Sequence, residues 1–184
     1  MGRPRRAYVP GSCFHVFTRG HNRREVFLDD EDHVQFLRCV ENACKKYETL
    51  GHGFALMKNH YHLLATPTRS DGLSETIKHF SGCYVRYFNN KYVQSGTLWN
   101  ERHKSVPIKH ERQLLTCLMY IERNPVAATI VPTADKYCWS SYRLHAYGNR
   151  IPWVTSHWVY NALGTTDADR QRVYRVLFDA SLGV

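Results

Sequence analysis

The 184-residue chain is 43% hydrophobic, 22% charged and 13% aromatic, with 12 tyrosines and 4 tryptophans, so it can bury a sizeable core and extensive disorder is excluded. Lysine and arginine exceed aspartate and glutamate by 25 to 16, a formal charge of +9 that favours a polyanionic partner. Six cysteines without C-x-x-C spacing, no apolar leader and no run of 18 apolar residues argue against a disulfide frame, secretion and membrane spanning, and lead us to expect a cytoplasmic protein with free thiols.

Arg3, Arg5 and Arg6 form a basic arm ahead of CFHVFTR at 13–19, which reads as a strand closed by Gly20. From Asp32 to Tyr47 the apolar residues Val34, Phe36, Leu37, Val40, Ala43 and Cys44 recur at helical spacing. Thr49–Met57 and His60–Thr66 read as strands separated by Lys58 and Asn59 alone, which predicts a hairpin. Ser74–Tyr92 reads as a second helix, with Gly82 as a possible bend. A further strand is expected near Lys104–Ile108, then a helix over Glu111–Glu122 that Pro125 ends or bends. Beyond it, YCWSSYRLHAYG reads as an aromatic-rich loop, followed by helical stretches near 156–163 and 167–178. This order predicts an α+β fold, a split β-α-β sandwich whose antiparallel sheet carries helices on one face, with a small helical appendage. The expected division is a core over 1–126, including the basic arm, and an extension over 127–184 packed upon it.

Two histidines in NHYHLLATP, His60 and His62, stand two apart on a strand and so point to one face, where both imidazoles can converge on a cation. The H-x-H spacing alone is a weak signal. In YIERN, Tyr120 and Asn124 stand four apart and share a helical face. If that face lies over the hairpin, Asn124 offers an amide oxygen to the ion while the Tyr120 hydroxyl meets a bound phosphate. A phenol with a pKa near ~10 is a poor nucleophile without such help. Mg²⁺ or Mn²⁺ suits this donor set, Mn²⁺ the more tightly. Tyr84, Tyr87 and Tyr92, in a basic helical stretch, are rivals to Tyr120. Lys78, Arg86, Lys91, Arg102 and Lys104 are candidate phosphate contacts, and Trp99 is either a stacking platform for a base or a core ring.

The segments YVPGSCFHVFTRGHNR, FALMKNHYHLLATP, YVRYFNNKYVQSGTLWNERHKS, YIERNPVAATIV and YCWSSYR resemble those of IS200-type single-tyrosine transposases of the HUH endonuclease superfamily, and especially the REP-associated branch. The resemblance spans nearly all of residues 6–147, and the tail RVYRVLFDASLG is similar as well. It implies a ferredoxin-like core with His60 and His62 as the metal pair, Tyr120 as nucleophile and Asn124, where other branches carry glutamine, as third ligand directly or through water. It also implies single-stranded or hairpin DNA from repeated palindromic elements as substrate. Cleavage beside the stem would proceed through a 5′-phosphotyrosyl link, with Arg3, Arg5, Arg6 and Arg19 holding stem or guide nucleotides. A monomer with its site complete in cis is expected over a dimer. The alternatives are a domesticated hairpin-binding protein without strand transfer, a replication-initiator-like nickase, and a hydrolytic metalloenzyme.

Overall fold

The computed structural model describes residues 8–182, so Arg3, Arg5 and Arg6 lie outside the described residues. Four strands, β1 (Phe14–Arg19), β2 (Thr49–Met57), β3 (His60–Pro67) and β4 (Lys104–Pro107), form one sheet in the order β2-β3-β1-β4. Every neighbouring pair is antiparallel. Helices α1 (Asp30–Lys46) and α2 (Gly72–Lys91) alternate with the strands, and α3 (Glu111–Ala127) follows β4. This is the ferredoxin-like α+β sandwich expected from the order of elements. No helix among the described residues is long and apolar enough to cross a membrane.

Local chemistry accounts for the element ends. Asp29 caps α1 by accepting from the Asp32 amide at 3.0 Å while the Asp32 carboxylate returns to the Asp29 amide, a reciprocal box that satisfies two otherwise orphaned donors. β2 and β3 are joined through Lys58 and Asn59 only, as the hairpin reading required.

Three expectations need correction. Helices cover both faces of the sheet, not one. Phe14, Val16, Phe54, Leu56, Tyr61 and Leu63 pack against α1 and α2, whereas Cys13, Ala55 and Leu64 pack with Leu114, Leu118 and Ile121 of α3 and with the chain beyond it. The near-continuous burial of β2 and β3 is the physical signature of a sheet covered twice. Second, α3 does not stop before Pro125 but runs through it to Ala127. Proline has no N–H for the carbonyl of Ile121, and the Asn124 side chain donates to that oxygen instead, at 3.3 Å. Third, the aromatic-rich segment is not wholly a loop, because Tyr142–Tyr147 form a short helix, α4.

Two more helices, α5 (Trp158–Asn161) and α6 (Asp167–Leu182), complete the second layer. Isolated bridges Ala55–Ser140 and Gly51–Val154 also cover the outer edge of β2, which would otherwise expose unpaired backbone groups. The fully buried Glu122 of α3 binds this layer together. Its carboxyl oxygens accept from Ser141 Oγ at 2.5 Å and His145 Nδ1 at 2.7 Å, both on the α4 side, and from Tyr174 of α6 at 2.6 Å.

Candidate active site

Alternation along β3 sends Tyr61, Leu63 and Ala65 into the α1/α2 core and leaves His60, His62, Leu64 and Thr66 on the side of α3. Antiparallel register sets Phe17 opposite His62 and Arg19 opposite His60. The α3 helix lies over this face in the same chain. Phe17, Thr18, Arg19, Met57, His60, His62, Tyr120, Asn124, Ala127 and Ala128 line one cleft of about 370 Å³. The two imidazoles, the phenol and the amide, far apart in sequence, therefore open on a common space.

Hydrogen bonds set the nitrogens of both imidazoles. His60 Nδ1 lies 2.6 Å from Asn59 Oδ1, an acceptor, so Nδ1 carries the proton and Nε2 keeps its lone pair. His62 Nδ1 lies 2.8 Å from Nε2 of the buried His15. Either ring can donate in this pair, and where His62 does, its Nε2 is likewise left as a donor atom for a cation. Burial lowers the pKa of His15 and His60 to about 4 and of His62 to about 3, with further lowering of His60 by Arg19 and of His62 by His15. Neutral imidazoles are what metal ligation requires. The Asn124 amide nitrogen donates to Tyr120 O at 2.8 Å as well as to the carbonyl freed by Pro125, which ties the nitrogen to the helix and leaves the oxygen on the opposite branch. Two imidazoles and an amide oxygen fit a divalent cation that keeps further positions for water or phosphate.

Tyr120 is 49% exposed and stands edge-on to His62 and His15, with ring centroids at 5.8 and 6.1 Å. Its rivals are engaged elsewhere. Tyr84 is fully buried, donates to the Val26 carbonyl and has a pKa raised by desolvation, while Tyr87 and Tyr92 donate to the Asp32 carboxylate. His15 is the site residue that sequence reasoning missed. Its signal was present, since alternation in CFHVF puts it on the face of Phe17, but its contact with His62 needs the β1–β3 register.

Two further hollows share lining residues with the cleft. Phe17, Thr18 and Arg19 also line one of about 420 Å³ with Arg23, Glu101 and Lys104. Thr18 and Glu101 in turn line one of about 400 Å³ with Lys78, Trp99 and Arg102. Arg19 and Lys104 line the first of these hollows and Arg102 and Lys78 the second, with Lys104 3.4 Å from Glu101 and Lys78 3.6 Å from Glu75. Lys91 does not join them. It pairs with Asp29, Glu31 and Asp32 within the fold. Arg86 is exposed on α2 and acts electrostatically on Cys39 of α1. Trp99 is half-buried, packed edge-on to Tyr61 at 5.5 Å, and also lines the second hollow.

The sequence matches the family described as "Transposase IS200 like" over residues 9–124. The chain belongs to this family. The transposase is thereby a single-tyrosine enzyme type of the HUH superfamily. Its fold is similar to that of a REP-associated tyrosine transposase solved bound to a REP hairpin, with a TM-score of 0.65 and 19% identity over 85% of this chain and 93% of that one. Weaker likenesses, each with a TM-score of 0.46, are to a candidate transposase from Deinococcus radiodurans and to tRNA(His) guanylyltransferase from Saccharomyces cerevisiae. The first has 19% identity over 67% of this chain and 97% of that one, the second 13% over 93% and 79%. No curated protein matches the sequence.

The transposase also holds a three-donor group away from the cleft. Cys13, His52 and His157 bring their ligand atoms within 4.8 Å of one another, which gives the described residues a capacity for a divalent cation there.

Proposed function

We propose that the chain is a metal-dependent single-stranded DNA endonuclease and strand transferase, with Tyr120 as nucleophile and His60, His62 and Asn124 as the ligands of Mg²⁺ or Mn²⁺. The observation that carries this reading is the single cleft shared by those four side chains. A divalent cation held there would neutralise charge developing on the non-bridging oxygens of the scissile phosphate. Tyr120 Oη attacks phosphorus as its proton leaves to solvent. The bond to the 3′ oxygen breaks, that oxygen takes a proton, and the 5′ phosphate remains esterified to the phenol. Because one phosphodiester replaces another, a free 3′-hydroxyl reverses the step on a second strand without ATP. His15 acts as a positioning residue, holding the His62 ring through Nδ1.

The substrate we infer is a DNA hairpin from a repeated palindromic element, in keeping with the REP hairpin bound by the similar solved transposase. The hollows lined by Arg19, Lys104, Arg102 and Lys78 would receive the phosphates of the strand. We assign residues 1–126 as the catalytic core and 127–184 as an extension that seats α3. We infer a site complete in cis and a monomer, a reading supported by the packing of α3 on the sheet of its own chain.

Single-stranded hairpin DNA carrying its native flanks, incubated with the protein and Mn²⁺, should yield a protein–DNA band that survives denaturation and needs the metal. Binding without cleavage would leave a hairpin-binding module, and cleavage with no protein on the product would assign the attack to water.

A further inference from the structure

Outside the cleft, three side chains able to ligate a metal converge: Cys13, immediately before β1, His52 in β2, and His157, immediately before α5. We propose that these three residues form a structural Zn²⁺ site that clamps the segment around residues 153–157 to the core. The proposal stands independently of the reading of Tyr120.

The backbone prepares His52 for ligation. The β2–β3 register shifts between Gly51 and Gly53, and this bulge carries the His52 ring to Thr66, on the side of the sheet that Cys13 shares. There His52 Nδ1 lies 2.7 Å from the Thr155 carbonyl, which can only accept. Nδ1 therefore holds the proton and Nε2 the lone pair, the arrangement that second-shell carbonyls impose on metal-bound imidazoles. Cys13 and His52 are buried and His157 is half-buried, so the group is shielded yet reachable from solvent through His157.

One thiolate with two imidazoles is a softer set than that of the cleft and selects zinc over magnesium or manganese. Zinc–sulfur and zinc–nitrogen bonds of ~2.3 and ~2.0 Å set tetrahedral donors roughly 3.3–3.5 Å apart, so donors already within 4.8 Å need only side-chain rotation. On binding, the Cys13 thiol releases its proton to solvent as the sulfur–zinc bond forms. His52 Nε2 exchanges the Thr66 hydroxyl, now at 2.9 Å, for the ion, and His157 gives up the Val159 amide now 3.2 Å from its Nδ1. Water fills the fourth position. The segment so held already docks through Thr155 N to Gly51 O at 2.8 Å and through Trp153 against Gly51. The ion would make that docking part of the folded core.

Cobalt is the probe, because a thiolate–cobalt bond absorbs in the near ultraviolet and the cleft contains no cysteine. The full chain carrying His60→Ala and His62→Ala should bind one equivalent of Co²⁺ with that absorption, and wild type should show the same band. Cys13→Ser and His157→Ala should each abolish it, the half-buried His157 providing the test if Cys13→Ser does not fold. Zn²⁺ should displace the cobalt and slow amide exchange across residues 153–157 about tenfold or more. Folded wild-type protein without the sulfur band, or a band that persists in Cys13→Ser, would overturn the proposal.

Discussion

The two faces of the sheet are built from alternate residues of the same strands, yet they carry different things. Toward α1 and α2, Phe14, Val16, Phe54, Leu56, Tyr61 and Leu63 meet Phe36, Phe80 and Tyr84 in a wide aromatic core. Toward α3, the intervening positions hold His15, His60, His62, Thr66 and Cys13, with Phe17, Ala55, Met57 and Leu64 as the apolar positions of the strands. Both faces bury apolar side chains, but the α1/α2 face carries the larger aromatic share from the strands themselves. The other holds the polar groups, which α3 and the Glu122 network secure. Aromatic packing and chemistry are thus separated by the two-residue period of a strand.

Substitutions on opposite faces should separate the same way. The largest effect is expected for Tyr120→Phe, which should lower strand cleavage on the order of 10⁴-fold or more while the melting temperature hardly moves, because the ring is 49% exposed and its loss is only of the hydroxyl. Phe36→Ala, in the opposite core, should cost about 3–5 kcal/mol in urea unfolding, with the activity of the remaining folded molecules preserved. Glu122→Gln tests the link between α3 and the layer beyond it. It faces three donors with an amide that can accept through one oxygen only, and should cost about 2–3 kcal/mol. If it instead lowered activity with no change in unfolding, α3 would be held by something other than this network.

The pH dependence distinguishes the faces more gently. Burial holds His15 and His60 at about 4 and His62 at about 3, and holds His52 at about 4, all below the ordinary value of 6.5. A base with a lowered pKa in the folded state binds protons sooner when unfolded. Metal-free protein should therefore be fully stable above about pH 6.5 and lose stability progressively as the pH falls toward 4. Thermal melts across that window check the sign. A melting temperature that rose on acidification would mean that these rings are charged in the fold.

Much of this was legible beforehand because it rests on short-range periodicity. The alternation in HYHLL placed His60 and His62 together, the four-residue step in YIERN joined Tyr120 to Asn124, and a two-residue gap announced the hairpin. What escaped depends on contacts between distant segments. Coverage of both faces follows from where α3 and the chain after it return, although the unbroken apolar stretch of β3 hinted at it. Pro125 was read from its own missing N–H, whereas the Asn124 side chain supplies the donor that keeps Ile121 satisfied. Lys91 looked like a phosphate contact until Asp29, Glu31 and Asp32 were seen to surround it. Cys13, His52 and His157 share no motif and meet only through a bulge and a crossing loop.

The proposed strand transfer requires Tyr120 to make the covalent bond. The most direct measurement traps the protein on hairpin DNA in the presence of Mn²⁺, trims the DNA with nuclease, and maps the modified peptide by mass spectrometry. A nucleotide phosphate should be found on Tyr120, in the α3 peptide that also carries Asn124, and be missing in Tyr120→Phe. The same modification on Tyr87, Tyr92 or any other tyrosine, or an adduct that survives Tyr120→Phe, would contradict it.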